Sequence, residues 1–471
     1  MRAFRFTAIA LSLALSACIT PPKEGPQQLA LDDSRLGLAP QISAPVAAPA
    51  WWSAFNDAQL DRLMQQALAD NPSLAQAMAR VREAQSLADV TRAGLSPAVS
   101  YDAQEARQRF SRNDVIPPPY AGNVQWEGQQ GLNLSWDIDF WGRQSSLLKQ
   151  ARSQTAAASL DVASARLALS GAVAAAYIDL YRNNALADVA QRTQAQRQRI
   201  LDITRERVRA GLDTNVELRE AEGAVPQAQV ELTQAQAAVA LDTHQLAALS
   251  GHGADAYAQI QRPQLDPAAA LPLPAALPAD LLGRRPDVLA ARDRIEAAGA
   301  GRAAAKAAFY PDVDLVAFAG SSAIGFTSLF HAASGNYGAG PAIHLPLFDA
   351  GRLKAEYRGA NAEIDVAVAG YNDTVLQAVR QSADQLSLIQ ALNSEIVQQQ
   401  QTLDDAEAAY GLAEQRYRAG LSGYLTVLNA ETQVLSARRQ HVELVSDQAI
   451  ARVNLLLAVG GSFDPQAPLP L

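Results

Sequence analysis

Two kinds of hydrophobic periodicity run along this chain, and each appears twice. Over 131–140, Leu132, Leu134, Trp136, Ile138 and Phe140 fall on one face, and Asn133, Ser135, Asp137 and Asp139 on the other. A period of two marks a strand with one face in apolar surroundings. Residues 97–107 form a weaker partner, with Val99, Tyr101 and Ala103 opposite Ser100, Asp102 and Gln104. A long polar loop containing Pro117, Pro118 and Pro119 separates the two. The second half repeats the pattern. Over 311–319, Val313, Leu315 and Ala317 alternate with Asp312, Asp314 and Val316. Over 337–347, Tyr337, Ala339, Ile343, Leu345 and Leu347 alternate with Gly338, Gly340, Ala342 and His344. The stretch 320–336 between them is rich in Gly, Ser and Ala. Each half therefore predicts a wide strand hairpin.

After each hairpin comes a long stretch without proline, 143–210 and 352–419, the first holding a single glycine, Gly171. At ~1.5 Å per residue a continuous helix of this length would extend about 100 Å, whereas globular helices average about a dozen residues. Both stretches end in Arg-Ala-Gly-Leu, at 209–212 and 418–421. Gly211 and Gly420 suit a helix C-cap or tight turn. Shorter helices are predicted to return over 216–250 and 425–459, the first kinked or loosened at Pro226. Helices over 73–93 and 288–308 precede the hairpins and stop at Pro97 and Pro311.

The correspondences keep a constant offset, which marks an internal duplication. Gly142-Arg143 recurs as Gly351-Arg352, Ala221-Glu222 as Ala430-Glu431, and Gly251 as Gly460, all 209 residues apart. Upstream, Pro72 pairs with Pro286 and Pro97 with Pro311 at 214. The first repeat thus carries a longer loop between Pro97 and Gly142, because length changes gather in loops. The expected organisation is a signal peptide over 1–17, an extended lipidated segment over 18–50 and repeat one over 51–261. A connection over 262–286 with six prolines, repeat two over 287–461 and a tail over 462–471 complete it.

Composition alters this picture at four points. The net charge of −9 and a charged fraction of 18% exclude a nucleic-acid binder, which needs basic patches. Much of the 49% hydrophobic content is alanine, the strongest helix former, so the chain is mainly helical. The single cysteine cannot form an internal disulfide. It closes a basic start and an apolar run over 6–15 that is too short for a membrane helix. Leu15-Ser16-Ala17-Cys18 resembles the bacterial lipobox, which implies cleavage before Cys18 and lipidation of its thiol. Each buried acyl methylene contributes ~0.8 kcal/mol to anchoring. Ile19 rather than Asp after the cysteine accords, by analogy, with outer-membrane sorting.

No stretch reaches 18 consecutive apolar residues, but β-strands cross a bilayer with ~9–11. Four strands cannot close a bilayer-spanning barrel, and open sheet edges are not tolerated in lipid. If the hairpins span, the chain must oligomerise; two copies supply eight strands and three supply twelve. His244, His252, His331, His344 and His441 are scattered without metal-ligand spacing. Phosphate loops, dinucleotide fingerprints and nucleophile elbows are absent from the sequence. No metal, cofactor or catalytic residue is expected, and the chain reads as a non-enzyme.

The runs Trp51-Trp52-Ser-Ala-Phe55-Asn-Asp57, Ala67-Leu68-Ala-Asp-Asn71-Pro72 and Leu281-Leu282-Gly-Arg284-Arg285-Pro286-Asp287 resemble signatures of the outer membrane factors, the TolC-like group. Within it, the chain is similar to the lipoprotein branch related to OprM and the NodT-type efflux proteins. The resemblance covers about 51–461, with Ala291 standing where relatives often show a glutamate. It implies a homotrimer in outer-membrane lipid, with a 12-stranded β-barrel continued by a long periplasmic α-helical barrel. It implies two partners, a periplasmic adaptor (membrane fusion) protein and an inner-membrane RND-type transporter that supplies the energy. The expected function is the exit duct of a tripartite efflux system for drugs or other small toxic solutes. Alternatives are the duct of a type I protein secretion system or a structural envelope-spanning lipoprotein.

By the same resemblance, Leu425, Thr426, Asn429 and Glu217 line the pore constriction. Relatives carry acidic residues near Thr426 or at Asn429, so Glu217 is the one carboxylate at the matched positions. Arg209, Gly211, Leu212, Arg418, Gly420 and Leu421 form the adaptor-docking turns. Leu132, Leu134, Trp136, Ile138 and Phe140 face lipid.

Overall fold

The computed structural model describes residues 20–31, 47–274 and 281–465. Cys18, the expected signal peptide over 1–17 and residues 466–471 lie outside the described residues. A 3-10 turn, Trp51–Phe55, leads into α1 (Ala58–Asp70) and α2 (Pro72–Ala93). Strands β1 (Ala98–Arg109) and β2 (Val124–Asp137) follow, then α3 (Arg143–Arg209) and α4 (Asn215–Leu249). A helical turn, Leu281–Arg284, opens the second half. It continues as α5 (Pro286–Ala307), β3 (Asp312–Ile324), β4 (Gly335–His344), α6 (Arg352–Arg418) and α7 (Tyr424–Ala458). Both long helices contain 67 residues.

The repeats are not spatial domains. One compact unit gathers Arg80–Ala158 and Ala291–Tyr371 with the segment before Leu31. The other gathers Leu31–Ala79, Ser159–Ala290 and Asn372–Leu471. Each draws on both halves of the sequence.

In the first unit the two hairpins join into one antiparallel sheet of order β1-β2-β3-β4. The central seam pairs Glu127–Asp137 of β2 with Asp314–Ile324 of β3. The loop over 110–123 is longer than its counterpart over 325–334, so the extra length of the first repeat lies between its strands. β2 starts at Val124 and ends at Asp137, earlier at both ends than the expected 131–140. Ile138 adds one further ladder bond, its N–H donating to Val313 O at 3.0 Å. Phe140 is then outside the strand. Asp139 is the reason: its carboxylate accepts from the N–H groups of Gln144 and Ser145, at 2.9 and 2.8 Å. Capping the first turn of α3 satisfies orphan helix donors and takes this segment out of the ladder. Asp349 does the same for α6 through Gly351 and Leu353. β4 likewise stops at His344, before Leu345 and Leu347. Beside the sheet, Phe309, Leu353 and Tyr357 form a small core, and Arg302 donates to the Tyr357 hydroxyl at 2.9 Å.

In the second unit the signature motifs tie down helix ends. Asn71 Nδ2 donates to Leu249 O, a last-turn carbonyl of α4, at 2.9 Å. At the equivalent place in repeat two, Arg285 Nη1 donates to Ala458 O of α7, also at 2.9 Å. The chain approaches closely there: a Cβ on Gly251 would lie 2.6 Å from Asp70 O, and one on Gly460 2.4 Å from Arg284 O. Both glycines have positive φ, 82° and 99°. Asn-Pro and Arg-Pro-Asp are thus two chemical solutions to one task, capping the return helix of their own repeat.

Asp57 joins three segments. Its Oδ1 caps α1 through Gln59 N at 2.9 Å, and its Oδ2 accepts from the Tyr177 hydroxyl and Gln264 N, both at 2.7 Å. Trp51, Trp52 and Phe55 are buried beside it. The Tyr177 hydroxyl is pushed far up from its usual range by burial and by Asp57. Part of α3 is apolar enough to cross a membrane by composition, yet half of that stretch is buried, and Val173, Ala174, Tyr177, Ile178 and Leu180 of the same helix are at most 1% exposed. It is the core helix of this unit. Pro226 does not interrupt α4, which remains one helix. The Ala224 carbonyl just before it accepts from Arg197 Nη1 at 3.2 Å.

Candidate membrane face and helical turns

Strand register decides which side chains share a face, because successive residues point to opposite sides. Leu132 is opposite Tyr101 and Ala319, and Leu134 is opposite Val99 and Ala317. Trp136 is opposite Leu315, which faces Pro341, and Ala319 faces Tyr337. The apolar positions of all four strands therefore gather on one side. They are exposed: Leu132 at 53%, Val99 at 62%, Ile343 at 70% and Tyr337 at 86%. The other side carries Asp102, Gln104, Asn133, Ser135, Asp314 and Asn336, and Asn133 Nδ2 donates to Asp102 Oδ2 at 2.8 Å. Phe318 is an apolar exception there, its ring covering Gly338, where a Cβ would come within 2.7 Å.

Large aromatics sit at one end of the apolar band with their polar atoms satisfied. Trp136 Nε1 donates to Leu95 O at 3.0 Å, and Trp141 Nε1 to Pro311 O at 2.9 Å. Trp141 stacks on Tyr310 with centroids 4.7 Å apart, and Phe140 and Phe348, which follow β2 and β4, are exposed. Rings with an apolar body and a bonded polar tip suit a membrane–water interface. Of the five candidate lipid-facing residues, Leu132, Leu134 and Trp136 share the strand face, whereas Ile138 and Phe140 follow the strand.

The Arg-Ala-Gly-Leu turns belong to the second unit. Gly211 and Gly420 take positive φ, 72° and 74°. Leu212 N donates to Arg207 O at 2.9 Å and Leu421 N to Arg416 O at 2.8 Å, the six-to-one bond of a Schellman end. Arg209, Leu212, Arg418 and Leu421 are exposed. Arg418 pairs with Glu414 on its own helix at 3.1 Å.

Leu425, Thr426 and Asn429 are exposed at the start of α7, while Tyr424, Val427, Glu431 and Val434 are buried. Spacings of three and four residues put each set on its own helix face. The structure therefore brings three of the four constriction candidates onto one exposed face. Glu217 behaves differently. Its carboxylate closes a capping box on α4, accepting from Thr214 N at 2.9 Å and from the Thr214 hydroxyl. These bonds, led by that from the hydroxyl, hold its carboxyl below the usual range.

Beneath the first turn lies a network that the motif comparison did not single out. Arg207 grips Asp213 with two bonds of 2.8 and 2.9 Å, and its Nη1 donates to Tyr417 O at 2.6 Å. The Tyr417 hydroxyl donates to Asp213 Oδ2 at 2.7 Å and lies 2.9 Å from Thr204 Oγ1. The Arg207 guanidinium also sits over the Tyr417 ring, 4.4 Å from its centroid. Arg207 holds the Asp213 carboxyl well below the ordinary carboxylate range, and burial pushes Tyr417 up to about 12. The equivalent of Asp213 in the second repeat is Ser422, so only one of the two turns is locked this way. A second buried ion pair lies nearby: Arg197 Nε is 3.5 Å from Glu431 Oε1, and burial raises the Glu431 carboxyl against the pull of Arg197.

Known proteins share this chain's sequence pattern and fold. Residues 63–252 and 277–461 match the model of the outer membrane efflux protein family, one segment for each repeat. The fusaric acid resistance protein FusA of Burkholderia cepacia is 36% identical over 76% of this chain and 69% of its own length. The toluene efflux pump outer membrane protein TtgF of Pseudomonas putida is 32% identical over 99% of this chain and 98% of its own. Among solved structures, the outer membrane protein VceC of Vibrio cholerae covers 89% of this chain and 100% of its own, with 35% identity and a TM-score of 0.83. The chain belongs to the outer membrane efflux protein family. It is an outer-membrane efflux channel, combining a membrane β part with long helices that extend into the periplasm.

Proposed function

We propose that three copies of this chain form the exit duct of a tripartite efflux system. The observation that carries this reading is the four-stranded sheet, apolar on one face and bounded by β1 and β4. Such a sheet is stable in lipid only when its edges are closed by further copies. Twelve strands from three chains form a barrel wide enough for solute, and the polar face of the sheet lines it. The apolar face, led by Leu132, Leu134 and Trp136, meets lipid. Cys18 carries the acyl anchor.

The exposed α7 face with Leu425, Thr426 and Asn429 narrows the duct, with Glu217 capping the neighbouring turn. The turns at Arg209, Gly211 and Leu212, and at Arg418, Gly420 and Leu421, meet a periplasmic adaptor. An inner-membrane RND-type transporter supplies the energy, and this chain performs no covalent chemistry. The cargo is small, apolar or aromatic toxicants, the class to which fusaric acid and toluene belong. Deleting the gene in a host that expresses the partner pump is expected to lower the minimum inhibitory concentration of at least one such compound severalfold. Unchanged tolerance across a panel including fusaric acid, toluene and amphiphilic antibiotics would overturn the efflux reading.

A further inference from the structure

The segment before Leu31 is held along α6 by three side chains that bond its backbone. Asn361 Nδ2 donates to Glu24 O at 3.1 Å. Asp365 Oδ1 accepts from two successive N–H groups, Gln27 at 2.7 Å and Gln28 at 2.8 Å. Asn372 Oδ1 accepts from Leu31 N at 2.8 Å. Positions 361, 365 and 372 follow helical spacing and form one stripe of α6. The order of contacts shows that the segment runs in the same direction as α6. Followed back toward Cys18, it heads for Arg352, the end of α6 that emerges from the sheet.

We infer that this stripe is a rail that sets the length of tether between the lipid anchor and the channel. The inference rests on the reading that Cys18 is lipidated. Asn361 lies nine residues after Arg352, roughly 14 Å along a helix. Glu24 lies six residues after Cys18, and an extended chain of that length reaches at most about 20 Å. The thiol therefore reaches the level of the sheet end with only a few ångströms to spare. Held this way, the acyl chains enter the leaflet at the rim of the same barrel. Released from the rail, the tether would run to the buried Ala47 and be several times longer. These four bonds are to the main chain, so they read position along the segment.

The test compares full-length chains in the outer membrane. Deleting residues 21–23 shortens the tether by about 10 Å, while inserting Gly-Ser-Gly after Lys23 lengthens it. A third variant combines Asn361→Ala, Asp365→Ala and Asn372→Ala. Palmitate labelling, proteinase K cleavage within residues 20–31 and the yield of heat-stable oligomer are read for each. The deletion is expected to keep its label, to be cleaved about tenfold faster and to lower oligomer yield. The insertion should match the wild type, and adding the triple substitution to the deletion should restore yield. A labelled deletion variant with normal protection and normal yield would overturn the tether alone. Absence of label on the wild type would overturn the Cys18 reading and the tether with it.

Discussion

Single residues carry two separable loads in this chain, facing lipid and locking a turn. Leu134 and Ser135 are neighbours on opposite faces of β2. Leu134→Arg is expected to cost about 2–4 kcal/mol in the bilayer and to reduce assembled oligomer, measured as heat-modifiable bands in membrane extracts. Ser135→Arg should assemble normally; equal loss in both variants would contradict the assigned faces. The Arg207–Asp213 pair is buried, and removing one partner of such a pair costs about 3–5 kcal/mol.

Asp213 also fixes a pH dependence. Its folded carboxyl titrates below the ordinary value of 3.8, so its contribution is present above that value and is lost as pH falls through the folded value. Thermal stability of the assembled channel should therefore fall in acid below about pH 4, and Asp213→Asn should show the lowered stability already at neutral pH. Identical pH profiles for the two would contradict the lock. Leu132, Leu134 and Trp136 were readable because period two is a local signal. Tyr417 was not, since its partners Arg207 and Asp213 are more than two hundred residues away. The hint was the divergence of residues 213–217 from 422–426 just after the matching Arg-Ala-Gly-Leu, with Asp213 standing against Ser422.

At the scale of elements, the long helices were legible from the absence of proline and the C-cap glycines, and α3 and α6 are each one uninterrupted helix. Strand ends were less so. Asp139 belongs by alternation to the strand and by hydrogen bonding to the helix, and the helix cap prevails because it satisfies two backbone donors at once. The joining of the two hairpins through β2 and β3 was also hidden, because register across the halves leaves no local trace. Helix crossings depend on glycine in one place above all: a Cβ on Gly171 would lie 2.2 Å from Leu457 Cδ1. Gly171→Ala gains up to about 1 kcal/mol of helix propensity but forces the half-buried Leu457 side chain to turn aside. Faster hydrogen exchange around Leu457 is expected, and unchanged exchange would contradict the close approach. On α7, Leu425→Ser should raise single-channel conductance if that exposed face narrows the duct; unchanged conductance would count against it.

For the whole molecule, duplication supplied two hairpins and two helix pairs, but not a closed structure. The sheet ends at β1 on one side and β4 on the other. Lipid does not tolerate those edges, so closure by further copies is a physical requirement of a membrane-spanning sheet and not an optional association. Periodicity alone left eight or twelve strands open; family membership favours twelve. The most direct test is native mass spectrometry of the complex extracted from the outer membrane in mild detergent. The account predicts one species containing three copies of the mature chain. A monomer, or a dimer supplying eight strands, would contradict it.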